Sequence, residues 1–340
     1  MFTRKMAAVA AAAAIALSAC GGADSSSDSS GKGASAATGK LKKIQAYVPT
    51  TMAFGAPMIG FGKKGNLSKY SDNVGVKNWD NVEQLKAAIA KNEVQIAATP
   101  AYVAANLYNK GRDVRLVAPV VWGMLYVVGP SDAPEGDWKS LKGKKIAISM
   151  PGNMPDLVFS YLLKKNGLDR KDIQVVQAND GQQAMQKVAL GEADYAVLPE
   201  HVATLAQIKL KEKGKEIKRI FNLQDEWGKV TGKKARFPMA GLVMPGQLVD
   251  SRPQLAAAVR AEVKASVDKA NSGDQDTLQA IAKHYKLPVD VVKQVIPRLQ
   301  LDVVPAKKAK ADYEDFLKRL GEVNPKIYGG KLPDDKFYAK

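Results

Sequence analysis

Cysteine and histidine are almost absent from these 340 residues: Cys20 is the one cysteine, and His201 and His284 are the two histidines. A single cysteine so near the start leaves nothing for a disulfide or a thiolate metal site in the body of the chain. Two histidines far apart argue against a His-based metal site as well. After the first twenty residues no apolar run is long enough to span a bilayer. No Ser-His-Asp or Cys-His arrangement and no phosphate-cradling P-loop is recognisable, so neither a catalytic residue nor a cofactor is expected. The chain carries 51 Lys and Arg against 34 Asp and Glu, a net charge of +17. Such a surplus could answer nucleic acid, anionic lipid or an anionic small ligand. The basic residues form no arm and no aromatic-interleaved stripe; they fall on helix faces and turns such as Lys209, Lys211 and Lys213, or Lys307, Lys308 and Lys310. A solvated cationic surface near a negatively charged membrane is the better reading, and no nucleic-acid partner is expected.

What is present begins with a leader. Met1 to Cys20 has Arg4 and Lys5, then an alanine-rich apolar run, then small residues, which is the pattern of a secretory signal peptide. Leu17-Ser18-Ala19-Cys20 resembles the lipobox of bacterial lipoproteins, which implies that residues 1–19 are removed and that Cys20 is lipidated. Gly21 to Lys40 is a Gly/Ser/Asp tether of the kind that lets a globular body move above a membrane. The folded part is therefore expected from Leu41, outside the cytoplasm and held at the cell membrane, in the periplasm if the host has an outer membrane.

The body of the chain repeats itself. Lys144 to Gly167 lies over Lys42 to Gly65 without a gap, matching Lys42 with Lys144, Ile44 with Ile146, Pro49 with Pro151, Met52 with Met154 and Gly65 with Gly167. Ile89 to Pro100 lies over Val188 to Pro199, matching Glu93 with Glu192, Ala97 with Ala196 and Pro100 with Pro199. Two copies in the same order predict two lobes. Each reads as strand, polar loop, helix, strand, helix, strand, which predicts a parallel sheet whose ligands bind beyond the carboxyl ends of the strands. The loops there are Pro49-Thr50-Thr51, Thr99-Pro100, Pro151-Gly152-Asn153 and Pro199-Glu200.

Between the copies, Val114 to Pro130 is a long apolar run broken at Trp122-Gly123, and Phe237 to Pro245 is a second such run after the repeat ends. The two read as crossings between lobes, and so as a hinge. The chain beyond is helical and is expected to return over lobe one. Residues 41–125 plus 245–340 make lobe one, and residues 126–244 make lobe two.

These features together resemble a substrate-binding protein of a bacterial ABC importer. Leu141-Lys142-Gly143-Lys144-Lys145-Ile146, the Leu-rich helix ending in Gly167-Leu168, and Gly191-Glu192-Ala193-Asp194 resemble the nitrate/taurine/sulfonate type, which includes binding proteins for thiamine-pyrimidine precursors. The Glu-Pro usual in that type is replaced here by Pro199-Glu200-His201. The resemblance covers lobe two strongly and lobe one weakly. It implies an α/β, two-lobed periplasmic-binding-protein fold of type II, each lobe a mixed or parallel sheet flanked by helices, with two crossover strands at the hinge. It also implies a monomer that closes on a small molecule and delivers it to a permease driven by an ATPase. Thiamine-pyrimidine synthases use a related fold, but with a cysteine-rich motif that this chain cannot form. A lipoprotein that presents its solute to a receptor is a further possibility that sequence does not separate from import.

The candidate ligand residues follow from the loops. Thr51 and Asn153 stand where helix N-caps would be, beside Thr50, Pro151, Gly152 and Met154, and the free N–H groups of a first helical turn attract anions. Thr99 and Tyr102 follow the third strand of lobe one; Glu200 and His201 hold the equivalent place in lobe two. A cleft-facing Glu200 would favour a ligand with a cationic or donating group, such as an amino sulfonate or aminopyrimidine, over a simple inorganic anion. Phe54 and Trp122, with Trp79 and Trp227 behind them, are candidates for an aromatic wall.

Overall fold

The computed structural model describes residues 39–340 apart from Lys64; the leader, Cys20 and most of the tether lie outside the described residues. In the first lobe, β1 (Ile44–Pro49), α1 (Met52–Gly55), β2 (Val74–Trp79), α2 (Val82–Ala90), β3 (Ile96–Pro100), α3 (Ala101–Asn109) and β4 (Val114–Val121) succeed one another. The second contains β5 (Leu125–Pro130), β6 (Lys145–Ser149), α4 (Met154–Lys165), β7 (Gln174–Ala178), α5 (Gly181–Ala189), β8 (Tyr195–Pro199), α6 (Glu200–Lys211), β9 (Ile217–Asn222) and α7 (Leu223–Thr231). The chain then returns through β10 (Ala240–Pro245), α8 (Gly246–Ser251), α9 (Pro253–Asn271), α10 (Gln275–Tyr285), α11 (Val289–Val295) and α12 (Ala306–Val323).

The two sheets have the same plan. Strand order is β2-β1-β3-β10-β4 in one and β7-β6-β8-β5-β9 in the other. In one lobe β1 pairs in parallel with β2 and β3, and in the other β6 pairs in parallel with β7 and β8, with Ile44 opposite Val74 and Ile146 opposite Val175. The strand delivered by each crossing is inserted antiparallel: β5 between β8 and β9, and β10 between β3 and β4. Runs such as Ile44–Pro49, Ile96–Pro100 and Val114–Val121 are buried on both faces, as strands covered by helices on both sides must be. The repeat extends to the helix starts. Asn81 accepts from the Gln84 N–H while Gln84 accepts from the Asp80 N–H, and Asp180, Gln183 and Asn179 do the same at the start of α5.

The two copies differ in one helix, and two sequence expectations are corrected here. The first helix of lobe one is only four residues long and passes into a 3₁₀ turn over Ala56–Met58, whereas its counterpart α4 runs for twelve. Gly55, Pro57 and the left-handed Gly60 and Gly62 stop it. The return to lobe one comes earlier than residue 245: β10 lies wholly in the first sheet, so the second crossing is Gly232–Met239, as the first is Trp122–Met124. Neither crossing is itself a strand.

The C-terminal helices do more than cover lobe one. Helix α9 packs on β4 and on the Ala56–Met58 turn, but α11 packs on α6 and α12 on α4, both in the second lobe. Buried Ala309, Tyr313, Phe316, Leu317 and Leu320 make the apolar stripe of α12 at helical spacing. Phe316 stacks on Phe237 at 5.4 Å and sits 5.5 Å from Trp227, whose ring is 5.2 Å from Tyr161 of α4. One apolar core thus runs through both lobes, and a smaller, alanine-rich one lies under α5 and α6. Among the described residues, no helix is long and apolar enough to cross a membrane.

Candidate ligand cavity between the lobes

The carboxyl ends of the parallel strands and the two crossings enclose a cavity of about 270 Å³. That is just under the ~300 Å³ at which ordinary ligand pockets begin, so it suits a small molecule. Its wall comes from the first turns of α1, α3, α4, α5 and α6, and its floor from Met124, Leu125 and Met239 of the crossings. The wall is apolar: Phe54, Pro100, Met150, Met154, Pro199 and Val202 contribute. Met150 reaches it from a left-handed backbone conformation, φ +54°, which costs a non-glycine residue about 1–2 kcal/mol. No Lys or Arg is among the lining residues, although the chain has 51. Asp180, at the rim, is the one carboxylate.

The helix starts around the cavity are unusual in their caps. Pro100 and Pro199 hold the N-cap positions of α3 and α6 and have no side-chain acceptor to offer. Asn153 holds that of α4, yet its side chain caps nothing, because its Oδ1 accepts from the Tyr102 hydroxyl at 2.9 Å. Burial pushes the Tyr102 phenol up to about 12, so it stays protonated and remains the donor. This bond joins lobe one to lobe two. The first N–H of α3 is taken by the Met239 carbonyl at 3.0 Å and that of α6 by the Met124 carbonyl at 2.7 Å. Beyond them each helix still carries orphan N–H groups and the positive end of its dipole. Only α5, capped by Asp180, has its first turn satisfied by a side chain.

Of the candidate ligand residues, Thr51, Phe54, Tyr102, Met154 and His201 line the cavity, and Asn153 stands at its edge through the Tyr102 bond. The others lie elsewhere. Thr50, Pro151 and Gly152 are exposed on the loops. Thr99 is fully buried in β3 opposite Gly241. Trp122 is a hinge residue: its ring is 1% exposed, Nε1 donates to the Asp302 carbonyl at 2.8 Å, and the Arg236 guanidinium lies 4.2 Å over it. Trp79 donates to the Ala98 carbonyl inside lobe one, and Trp227 belongs to the hinge cluster. Glu200 faces away from the cavity. It is 0% exposed, and its carboxylate accepts from Arg219 at 2.6 and 3.0 Å, Thr204 at 2.7 Å and, across the lobes, Arg298 at 3.3 Å.

Sequence reasoning missed the crossing methionines Met124 and Met239, and the Asp180-Gly181-Gln182 start of α5. The signal for the second was there: the reciprocal caps mark the carboxyl end of the second strand in each copy, as Pro100 and Pro199 mark the third. Larger grooves of about 530 and 500 Å³ meet at Arg115, at the opposite end of the first sheet. Arg115, which the two grooves share, is bound there to Asp113 and Asp250.

Two facing lobes of this strand order are the periplasmic-binding-protein architecture, and solved structures bear this out. An ABC transporter protein from Parabacteroides distasonis matches with a TM-score of 0.70 at 24% identity, over 88% of this chain and 99% of its own. The periplasmic aliphatic sulphonate-binding protein SsuA from Escherichia coli gives 0.68 at 14%, over 85% and 95%. The periplasmic nitrate-binding protein NrtA from Synechocystis gives 0.63 at 14%, over 87% and 83%. The family described as ABC transporter, phosphonate, periplasmic substrate-binding protein matches residues 73–282, and this chain belongs to it. YtlA of Bacillus subtilis (strain 168), named as a binding protein, is 34% identical over 85 residues, which is 25% of either chain; the match spans about a quarter of that relative's length.

Proposed function

We propose that this protein is the extracytoplasmic receptor of an ABC importer, closing its two lobes on a small organic ligand and presenting it to the permease, with Cys20 as its lipid anchor. The ligand has an anionic or acceptor-rich head and an apolar body. One observation carries this reading: the uncapped starts of α3, α4 and α6, drawn from both lobes, surround a cavity with no lysine or arginine. Helix starts of this kind hold an oxyanion through N–H groups and partial charge alone. Met124, Met150, Met154 and Met239 supply a soft, adaptable surface for the rest of the molecule. Glu200, spent on Arg219, makes no demand for a cationic group; Asp180 at the rim leaves room for one at the far end, as in an amino sulfonate. The sulphonate and nitrate ligands named for the structural neighbours fit the head; nitrate lacks the body.

The test is a thermal-shift and calorimetric screen of residues 41–340 against alkyl and aryl sulfonates, taurine, matched carboxylates and phosphonates, nitrate and aminopyrimidines. A ligand at a hundred times its Kd stabilises the folded state by about 2.7 kcal/mol. The organic monoanions are expected to shift the midpoint and nitrate to fail. A well-folded protein that responds to nitrate as strongly as to an aryl sulfonate would refute the two-part description.

A further inference from the structure

His201 is the second residue of α6, and its ring lines the cavity. Its Nδ1 is buried and has no hydrogen-bond partner. The nearest candidate acceptor by sequence, Glu200, is fully engaged by Arg219, Thr204 and Arg298. A buried nitrogen left unpaired is uncommon, and an unpaired N–H costs more than an unpaired lone pair, because orphaned donors are the rarer case in folded proteins. Burial without a counter-charge also holds the imidazole neutral, its pKa pushed down to about 4. A neutral ring carries one proton. With nothing beside Nδ1 to receive it, that proton belongs on Nε2, which makes no hydrogen bond among the described residues either.

We infer that His201 is a specificity-determining residue that presents a neutral Nε2–H to the cavity and donates it to an acceptor on the ligand. It thereby adds a side-chain donor to the backbone N–H groups of the helix starts. The inference rests on the cavity being the ligand site, as proposed above. The donor differs in kind from those N–H groups: it is set at the tip of a side chain, so it selects for where the acceptor lies on the ligand. Being uncharged, it adds no preference for a doubly over a singly charged head. Lysine or arginine in the same place would impose one.

Two measurements test this, and the first needs no ligand. Nitrogen-15 NMR of the imidazole rings at pH 7 reads tautomer and charge directly, and His284→Gln, on the exposed face of α10, leaves a single ring to observe. A neutral ring protonated at Nε2 is expected; an Nδ1–H tautomer or an imidazolium overturns the inference. The second compares His201→Gln, which keeps an N–H, with His201→Phe, which does not, by calorimetry with benzenesulfonate and benzoate. About a ten-fold loss of affinity in His201→Phe is expected, the size of one neutral hydrogen bond, with His201→Gln within a few-fold of the parent. If a well-folded His201→Phe binds as the parent does, His201 is only wall. If neither probe binds the parent, the acceptor-head reading of the cavity falls and takes the donor role with it, even where the NMR finds the expected tautomer.

Discussion

Replacing Arg219 with methionine tests how Glu200 is held. In the folded chain Arg219 stacks over the Tyr126 ring at 5.2 Å and gives the Glu200 carboxylate its two nearest charged bonds, at 2.6 and 3.0 Å. Arg298, the other cation, is farther at 3.3 Å, and its side chain is 41% exposed, so it is screened by water and compensates little. Arg219→Met therefore leaves a carboxylate with 0% exposure almost alone in the interior. Removing one partner of such a pair costs about 3–5 kcal/mol. For a folded body of roughly 300 residues, 41–340, each kilocalorie lowers the melting temperature by about 2 °C, so a fall of about 6–10 °C is expected in a calorimetric scan. Adding Glu200→Leu to Arg219→Met removes the stranded charge and should recover at least half of that loss, since a buried ion pair replaced by apolar side chains of similar size is close to neutral. Ligand affinity should change by less than about three-fold in Glu200→Gln, because the carboxylate faces away from the cavity. Additive losses in the double variant would refute the pairing. A hundred-fold loss of affinity in Glu200→Gln, with stability unchanged, would put the carboxylate in the site after all.

Other outcomes follow from the same geometry. Tyr102→Phe deletes the one bond between the Tyr102 hydroxyl and Asn153, which joins the lobes; the apparent Kd of a ligand that closes them should rise about two- to ten-fold by calorimetry while the melting temperature moves by about 1 °C. Equal effects on both would mean the bond supports the fold and not closure. His201 stays neutral in the folded chain down to about pH 4 but takes a proton near pH 6.5 when unfolded, so stability is full above 6.5 and is lost as pH falls from 6.5 toward 4. The loss is at most about 3 kcal/mol, and His201→Gln should flatten that limb of the urea-unfolding curve against pH. Gly55→Ala would place a Cβ 1.9 Å from the Tyr285 hydroxyl and 3.0 Å from the Pro49 carbonyl, costing about 1–3 kcal/mol. Tyr285→Phe, which removes a buried hydroxyl that has no partner, should be nearly neutral alone and should relieve part of the Gly55→Ala loss.

The lobes were legible because alternation of short apolar runs with helical periods survives in a single sequence, and because the copies share punctuation: Gly65 with Gly167, Pro100 with Pro199. Length was not. The first copy aligns with a twelve-residue helix, yet Gly55 and Pro57 limit it to four residues. The helix-start positions were also legible, Thr51 and Asn153 standing where expected; what each side chain does was not, since Asn153 Oδ1 answers a tyrosine fifty-one residues away. Glu200 and Trp122 show the general limit. Both sit at strand ends that point toward the cleft, and both turn away because long-range partners, Arg219 and Arg298 for one, Arg236 and the Asp302 carbonyl for the other, satisfy them inside the hinge. Nothing near either residue in sequence announces those partners. Of the four cavity methionines the sequence points to Met154 through its place in the helix-start loop, but not to Met124 or Met239, because a crossing has no helix or strand period to mark which side faces inward.

Those two methionines share a position that has a consequence for how such a receptor is assembled and retuned. Met124 and Met239 each end a crossing, each lend a carbonyl to the first turn of a helix in the lobe just entered, and each put a thioether on the cavity floor. The floor is thus owned by the pivot. A pivot sweeps least when two halves swing, so on the proposed closure the three floor residues, about a third of the apolar lining named above, would keep their place while the walls move. On that reading a ligand would meet the floor first, and the walls would then close in a register set by the same backbone atoms. On this reading a substitution at 124 or 239 should alter ligand choice and motion together, whereas one at 154 or 202 should alter ligand choice alone.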